Sequence, residues 1–234
     1  VAIEFIRTIS EGKKIYGILH LPRNPRPSCI ICSHGLFSSK DSEKFIEIGE
    51  TLSDQGIAAI RYDHQGCGES DGELSATTAS SRLKDLKAIV DLAAHHPLLG
   101  DRLGLLGSSM GGFISIFKAS VDPRVKVLVL WATPALLQGG RGVIEEEEVR
   151  LPDSFYDDAK GYDAVRAIQG VSNCLFLHGE TDELVPLAHA ETLYHAAHPP
   201  KHLEVFPGGD HRFTDPQHRR RAIQMSLEWF QRHL

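Results

Sequence analysis

The chain has 234 residues, 41% hydrophobic and 24% charged, with a formal net charge of −6. This suits one large α/β domain with a substantial core, and the negative balance argues against nucleic acid or an anionic membrane surface as the main partner. The best apolar run, Val127 to Leu137, is broken by Thr133 and Pro134 and is too short to cross a bilayer.

The N-terminus carries Glu4, Arg7, Glu11, Lys13 and Lys14 and has no signal-peptide pattern, which makes a cytoplasmic location the default expectation. Val1 to Ile9 and Lys14 to Leu21 read as two antiparallel strands around the turn Ser10-Glu11-Gly12-Lys13. A proline-rich connection, Pro22 to Pro27, leads into a buried strand at Cys29 to Ser33. Phe45, Ile48 and Leu52 give Ser42 to Gln55 helical spacing, and Gly56 ends it. A strand over Ile57 to Tyr62 follows, then a long amphipathic helix over Ala76 to Ala94 with Leu83, Leu86, Ile89, Val90 and Leu92 as its apolar residues.

Strands are expected at Arg102 to Leu106, Val125 to Trp131, Cys174 to His178 and Leu203 to Phe206. Helices are expected at Phe113 to Ser120, Pro186 to Ala197 and Pro216 to His233. Strands alternating with amphipathic helices predict a mostly parallel sheet covered on both faces, with the initial hairpin adding antiparallel strands at one edge. Between Trp131 and Cys174 no core strand is evident. A stretch of that length in a compact domain reads as a lid or cap, placed at about 136–168 within a single domain spanning 1–234.

Gly107-Ser108-Ser109-Met110-Gly111 is a G-x-S-x-G placed where a strand gives way to a helix, the context of a nucleophile elbow. Such a turn projects Ser109 above the sheet edge, beside a helix N-terminus whose amides can meet negative charge. A serine hydroxyl needs a base, and the base needs an orienting acid. Both are expected later in the chain, acid first, in loops after strands.

Gly179-Glu180-Thr181-Asp182-Glu183-Leu184-Val185-Pro186 offers Asp182 as the acid, with Glu180 and Glu183 as competitors and helix capping as the plain alternative for Asp182. Pro207-Gly208-Gly209-Asp210-His211 offers His211 as the base. One oxyanion donor is expected from the Met110 N–H, after the nucleophile, and the other from His34-Gly35-Leu36-Phe37, with Leu36 first and Phe37 second. Phe37, Ser108 and Val185 are candidate substrate contacts.

These pieces, together with Arg61-Tyr62-Asp63-x-x-Gly66-x-Gly68-x-Ser70, resemble the α/β-hydrolase superfamily over essentially the whole chain. Within it the chain is similar to small esterases that include bacterial feruloyl (cinnamoyl) esterases, with serine-aminopeptidase-like and acylglycerol-lipase-like relatives. The resemblance implies an α/β-hydrolase fold, a Ser109–Asp182–His211 triad, an oxyanion hole at Leu36 and Met110, and a short cap after the sixth core strand. It implies an acyl-enzyme route for a small-molecule carboxylic ester, with no cofactor or metal. Thioester, acylglycerol or amide hydrolysis on the same triad is the alternative, and a non-catalytic binding module the more distant one. The four-glutamate run, Glu145 to Glu148, reads as a solvated face.

Other motifs carry less. Cys29 and Cys32 form a C-x-x-C, but residues three apart in a strand face opposite ways, which argues against a redox or zinc pair. His195, His198 and His202 have suggestive spacing, yet Pro199 and Pro200 interrupt the helix before the last. Gly66-Cys67-Gly68 lacks the Gly-Lys-Ser/Thr of a phosphate loop and is expected to shape a turn near the site.

Overall fold

A computed structural model describes residues 1–137 and 151–234. The Glu145 to Glu148 run and Gly139-Gly140-Arg141-Gly142 lie outside the described residues. The strands are β1 (Ala2–Ser10), β2 (Lys13–Leu21), β3 (Cys29–Ser33), β4 (Ala58–Tyr62), β5 (Leu103–Ser108), β6 (Val125–Trp131), β7 (Cys174–Gly179) and β8 (Lys201–Phe206). They form one sheet in the order β1-β2-β4-β3-β5-β6-β7-β8. β1 and β2 pair antiparallel, β2 joins β4 antiparallel, and every later pairing is parallel, as the sequence pattern predicts.

The helices are α1 (Glu43–Asp54), α2 (Ala79–His95), α3 (Met110–Val121), α4 (Asp153–Ala159), α5 (Ala164–Ile168), α6 (Leu187–Ala196) and α7 (Pro216–His233). The two faces of the sheet bury separate clusters. Leu86 and Ile89 of α2, Phe113 of α3, Ile168 of α5 and Leu193 of α6 pack on one face, and Phe45 and Ile48 of α1 with Leu227 and Phe230 of α7 pack on the other. Period-two alternation in the central strands feeds both layers: Cys29 and Ile31 point to the first, Ile30 and Cys32 to the second. The two thiols of the C-x-x-C therefore part, and all four cysteines are buried and unpaired.

Differences from the sequence reading are local. The long helix begins at Ala79, not Ala76, because Thr78 caps it: its side chain accepts from Ser81 N while the Ser81 hydroxyl is reached by Thr78 N. A single 3-10 turn, Leu74–Ala76, precedes that cap. The last strand starts at Lys201, two residues early. The stretch before Cys174 holds two short helices, α4 and α5, whose Phe155, Ala164 and Ile168 join the core. Among the described residues no helix is long and apolar enough to cross a membrane.

Candidate active site

The carboxyl ends of the parallel strands carry the site, where loops leave the sheet. At the end of β5, Ser109 adopts φ 54° and ψ −122°, a conformation open to few non-glycine residues. The surroundings hold it there: Ser109 N–H donates to the Trp131 carbonyl at 2.8 Å, and its own carbonyl accepts from Phe113 N at 3.0 Å. The turn requires its glycines for want of room. A Cβ on Gly111 would stand 2.0 Å from the Ser33 carbonyl oxygen, and one on Gly107 would stand 2.5 Å from the Gly111 oxygen.

Asp182 and His211 meet across the loops after β7 and β8. His211 Nδ1 lies 3.0 and 2.9 Å from the two Asp182 carboxylate oxygens, and both side chains are buried. Asp182 does not cap α6, which starts at Leu187 with Pro186 as N-cap and no side-chain cap; its Oδ1 instead accepts from Leu184 N at 2.9 Å and Val185 N at 2.7 Å within its own loop. His178 backs it from the strand: its Nε2 donates to the Val185 carbonyl at 2.8 Å and lies 3.3 Å from Asp182 Oδ2. Burial alone would raise the Asp182 carboxyl, but its bonds to His178, His211 and the Val185 amide hold it far below the ordinary carboxylate range. The competing acids take backbone roles: Glu183 accepts from His211 N at 3.1 Å, and Glu180 from Gly208 N at 2.9 Å.

A cavity of about 690 Å³ opens over Ser109 and reaches His211. Leu36, Phe37, Ser108, Met110 and Val185, all singled out from sequence, line it, whereas Asp182 sits behind His211. Leu136, Leu137 and Phe155 close part of its apolar side. No hydrogen bond joins Ser109 Oγ to His211, though both border the same space. The N–H groups of Leu36 and Met110 donate to nothing among the described residues.

The loop 34–41 after β3 owes its shape to residues that the sequence reading passed over. Arg82 of α2 is fully buried. It donates through Nη1 to the Gly35 carbonyl at 3.2 Å, through Nη2 to the Leu36 carbonyl at 3.0 Å, and through Nε to Thr77 Oγ1 at 2.9 Å. Among the described residues no carboxylate pairs with it. A trans peptide points its N–H opposite to its C=O. Holding the Gly35 carbonyl toward Arg82 therefore turns the Leu36 N–H away from α2, and holding the Leu36 carbonyl does the same for Phe37.

His34 adds a second donor to the Gly35 carbonyl through Nδ1 at 2.7 Å, while its Nε2 accepts from His64 N at 3.1 Å. That pair of bonds fixes the neutral Nδ1–H tautomer, and burial beside His64 and Arg82 pushes the imidazole well below its usual value. His64 lies between Asp85 Oδ2 at 3.3 Å and Ser33 Oγ at 2.9 Å. Burial, with Arg82 adding, lowers it to about 4 although Asp85 opposes the shift. Farther along, Lys40 Nζ stands 2.7 Å from Asp41, 3.0 Å from Asp63 and 2.7 Å from Glu69. This trio of carboxylates has the spacing of a metal site, but the lysine ammonium occupies its centre. Arg82 and Asp85 leave a readable mark, since both fall on the stripe of α2 that carries Leu86, Ile89 and Val90, whereas Leu83, expected on that stripe, is only half-buried.

The family model described as serine aminopeptidase, S33, matches residues 24–144, just over half of the chain, and the chain belongs to that family. It is 28% identical over 182 residues to palmitoyl-protein thioesterase ABHD10, mitochondrial, of Mus musculus, a match covering 67% of this chain and 59% of that protein's length. Est1E from Butyrivibrio proteoclasticus, solved with bound ferulic acid, superposes with a TM-score of 0.83 at 21% identity, over 96% of this chain and 99% of that one. Mouse alpha/beta hydrolase domain-containing protein 10 gives a TM-score of 0.81 at 23% identity, over 99% of each chain. At those identities the likeness speaks to fold, and the fold is that of the α/β-hydrolases.

Proposed function

We propose that this chain is a serine hydrolase that cleaves small carboxylic esters, of short-chain or aryl and hydroxycinnamoyl type, through an acyl-enzyme. The observation that carries the reading is one cavity bordered by a strained Ser109, by a His211 bonded to buried Asp182, and by two unused amides at Leu36 and Met110. In this scheme Ser109 Oγ attacks the ester carbonyl while His211 Nε2 takes its proton. Asp182 keeps Nδ1 protonated and stabilises the imidazolium that forms. The Leu36 and Met110 N–H groups receive the oxyanion. His211 returns the proton to the departing alcohol, and water then repeats the sequence on the acyl-enzyme.

Phe37, Ser108 and Val185 would contact substrate from the cavity wall. Residues at about 136–168 form a cap on a single domain in this reading, supported by Leu136, Leu137 and Phe155 at the cavity. Thioester hydrolysis is the second reading, favoured by the likeness to the mouse palmitoyl-protein thioesterase.

A fluorophosphonate probe should label Ser109 in the native protein, and Ser109→Ala should lose both labelling and turnover while melting as a folded protein. Wild-type-like turnover in that variant refutes the nucleophile. A panel of 4-nitrophenyl acyl esters and methyl ferulate, set against acyl thioesters, decides the substrate class. Faster turnover of thioesters overturns the ester assignment and leaves the triad standing.

A further inference from the structure

Lys44, in the first turn of α1, puts a cation in the wall of this cavity. Its Nζ donates to Ser108 Oγ at 2.8 Å, next in the chain to Ser109. The ammonium also lies 5.7 Å from the centre of the Phe45 ring. Among the described residues no carboxylate pairs with it within salt-bridge distance, and the acidic groups around it are engaged elsewhere. Asp182 holds His211, Asp210 holds Thr214, and Glu43 and Glu47 hold Arg219 at 3.1 and 3.0 Å. Ser42, also on the cavity wall, keeps a buried Oγ with no hydrogen-bond partner among the described residues. A half-buried ammonium on the cavity wall, with a spare hydroxyl two residues away, has no counter-charge in contact among the described residues, and a ligand can bring one.

We propose that Lys44 and Ser42 form an anion-binding subsite, so that the ester turned over carries a carboxylate a few carbons from its reacting carbonyl. The proposal rests on the Ser109 reading above. The short spacer follows from Lys44 bonding the residue beside the nucleophile. Among the described residues, the groups whose charges act most on Lys44 are Arg212, Asp210, Arg219 and Asp182. Burial first, and then the two arginines against the two aspartates, bring its ammonium down to about 8. The subsite is therefore charged at neutral pH and fades as pH rises past about 8.

The test compares kcat/KM for mono-4-nitrophenyl glutarate with that for 4-nitrophenyl pentanoate, and for 4-acetoxybenzoate with its methyl ester. The first pair puts the carboxylate on the acyl side and the second on the leaving group. Expected is an anionic-over-neutral ratio that falls tenfold or more in Lys44→Met on one of the two pairs, is largely kept in Lys44→Arg, and declines in the wild type above pH 8. Calorimetric titration with glutarate gives a readout that needs no Ser109 chemistry, and affinity should fall tenfold or more in Lys44→Met. Unchanged ratios on both pairs, with glutarate affinity also unchanged, overturn the subsite even if Ser109 is labelled by fluorophosphonate. Loss of glutarate binding in Lys44→Met without any labelling of Ser109 in the wild type sinks the hydrolase reading and leaves the subsite.

Discussion

Replacing Arg82 with methionine separates the shape of the loop after β3 from the chemistry at Ser109. Arg82 is not among the residues that line the cavity, yet it holds two successive carbonyls, Gly35 at 3.2 Å and Leu36 at 3.0 Å. Hydrogen bonds to a charged group each contribute about 1.5–3 kcal/mol to stability, and methionine fills much of the same buried volume. Loss of both bonds should therefore lower stability by roughly 3 kcal/mol, a fall of several degrees in Tm. The catalytic effect follows from the peptide planes. Once Arg82 is gone, only His34 Nδ1–H still holds the Gly35 carbonyl and the Leu36 carbonyl loses its guanidinium donor, so the Leu36 N–H can turn partly off the oxyanion position. Removing one such donor outright typically costs about 10²–10³ in kcat, so partial misalignment should cost about 10- to 100-fold. KM should change little, because the ground-state carbonyl gains less from that donor than the oxyanion does. The assay is kcat and KM well below the melting temperature, with the folded fraction measured by near-ultraviolet circular dichroism. Arg82→Lys should fall between, since an ammonium cannot span both carbonyls in the planar fork geometry. A folded Arg82→Met protein with wild-type kcat would refute the claim that Arg82 aims the Leu36 amide.

Two further outcomes follow from the same buried groups. His64 sits at about 4 in the fold against 6.5 when exposed, so both states are neutral above pH 6.5, and only the unfolded chain takes up the proton as pH falls from there toward 4. Stability should thus be complete above pH 6.5 and decline by about 3 kcal/mol by pH 4, and a His64→Gln variant in urea melts at pH 7 and 4.5 should show a shallower decline than the wild type; equal slopes refute it. Gly111→Ala should lose at least about 3 kcal/mol or fail to fold, because its new Cβ meets the Ser33 carbonyl oxygen at 2.0 Å and backbone on both sides must shift. A variant melting within two degrees of the wild type would show that the elbow has room the geometry denies.

The parallel sheet was legible because buried strands and amphipathic helices write different periods, and the candidate site because each of its residues sits in a short motif at a strand end. Asp182 and His211 illustrate this: neither is distinctive alone, yet each follows a strand that the apolar pattern marks, and they meet at 2.9 Å. Arg82 and Lys44 were not legible there, for a different reason. Their roles depend on what lies opposite them in space: Leu36 is 46 positions from Arg82 and Ser108 is 64 from Lys44. A helix period reports which face is buried but not what the facing loop presents. Nor does it mark α4 and α5, which are too short at seven and five residues to show a full amphipathic repeat.

Three buried cations converge on the loop 34–41, which has no regular structure of its own. Arg82 binds the carbonyls of Gly35 and Leu36, Arg61 Nη1 binds the Lys40 carbonyl at 2.7 Å, and Lys40 is itself ringed by Asp41, Asp63 and Glu69. A loop cannot satisfy its carbonyls with a ladder, so when buried it needs donors from elsewhere. A neutral side chain could supply them, but a guanidinium bonds two carbonyls in fixed relative orientation and so constrains the peptide planes as well. That constraint matters most where an amide must already face a developing charge before the reaction begins, since reorienting it during the reaction would add to the barrier. Desolvating Arg82 without a carboxylate partner is costly for stability. An apolar side chain in its place would strip the Leu36 carbonyl of its guanidinium donor, and a neutral donor would not fix two peptide planes together, so the retained charge argues that the orientation of the Leu36 and Phe37 amides, as well as burial, is what residues 34–41 are built to secure.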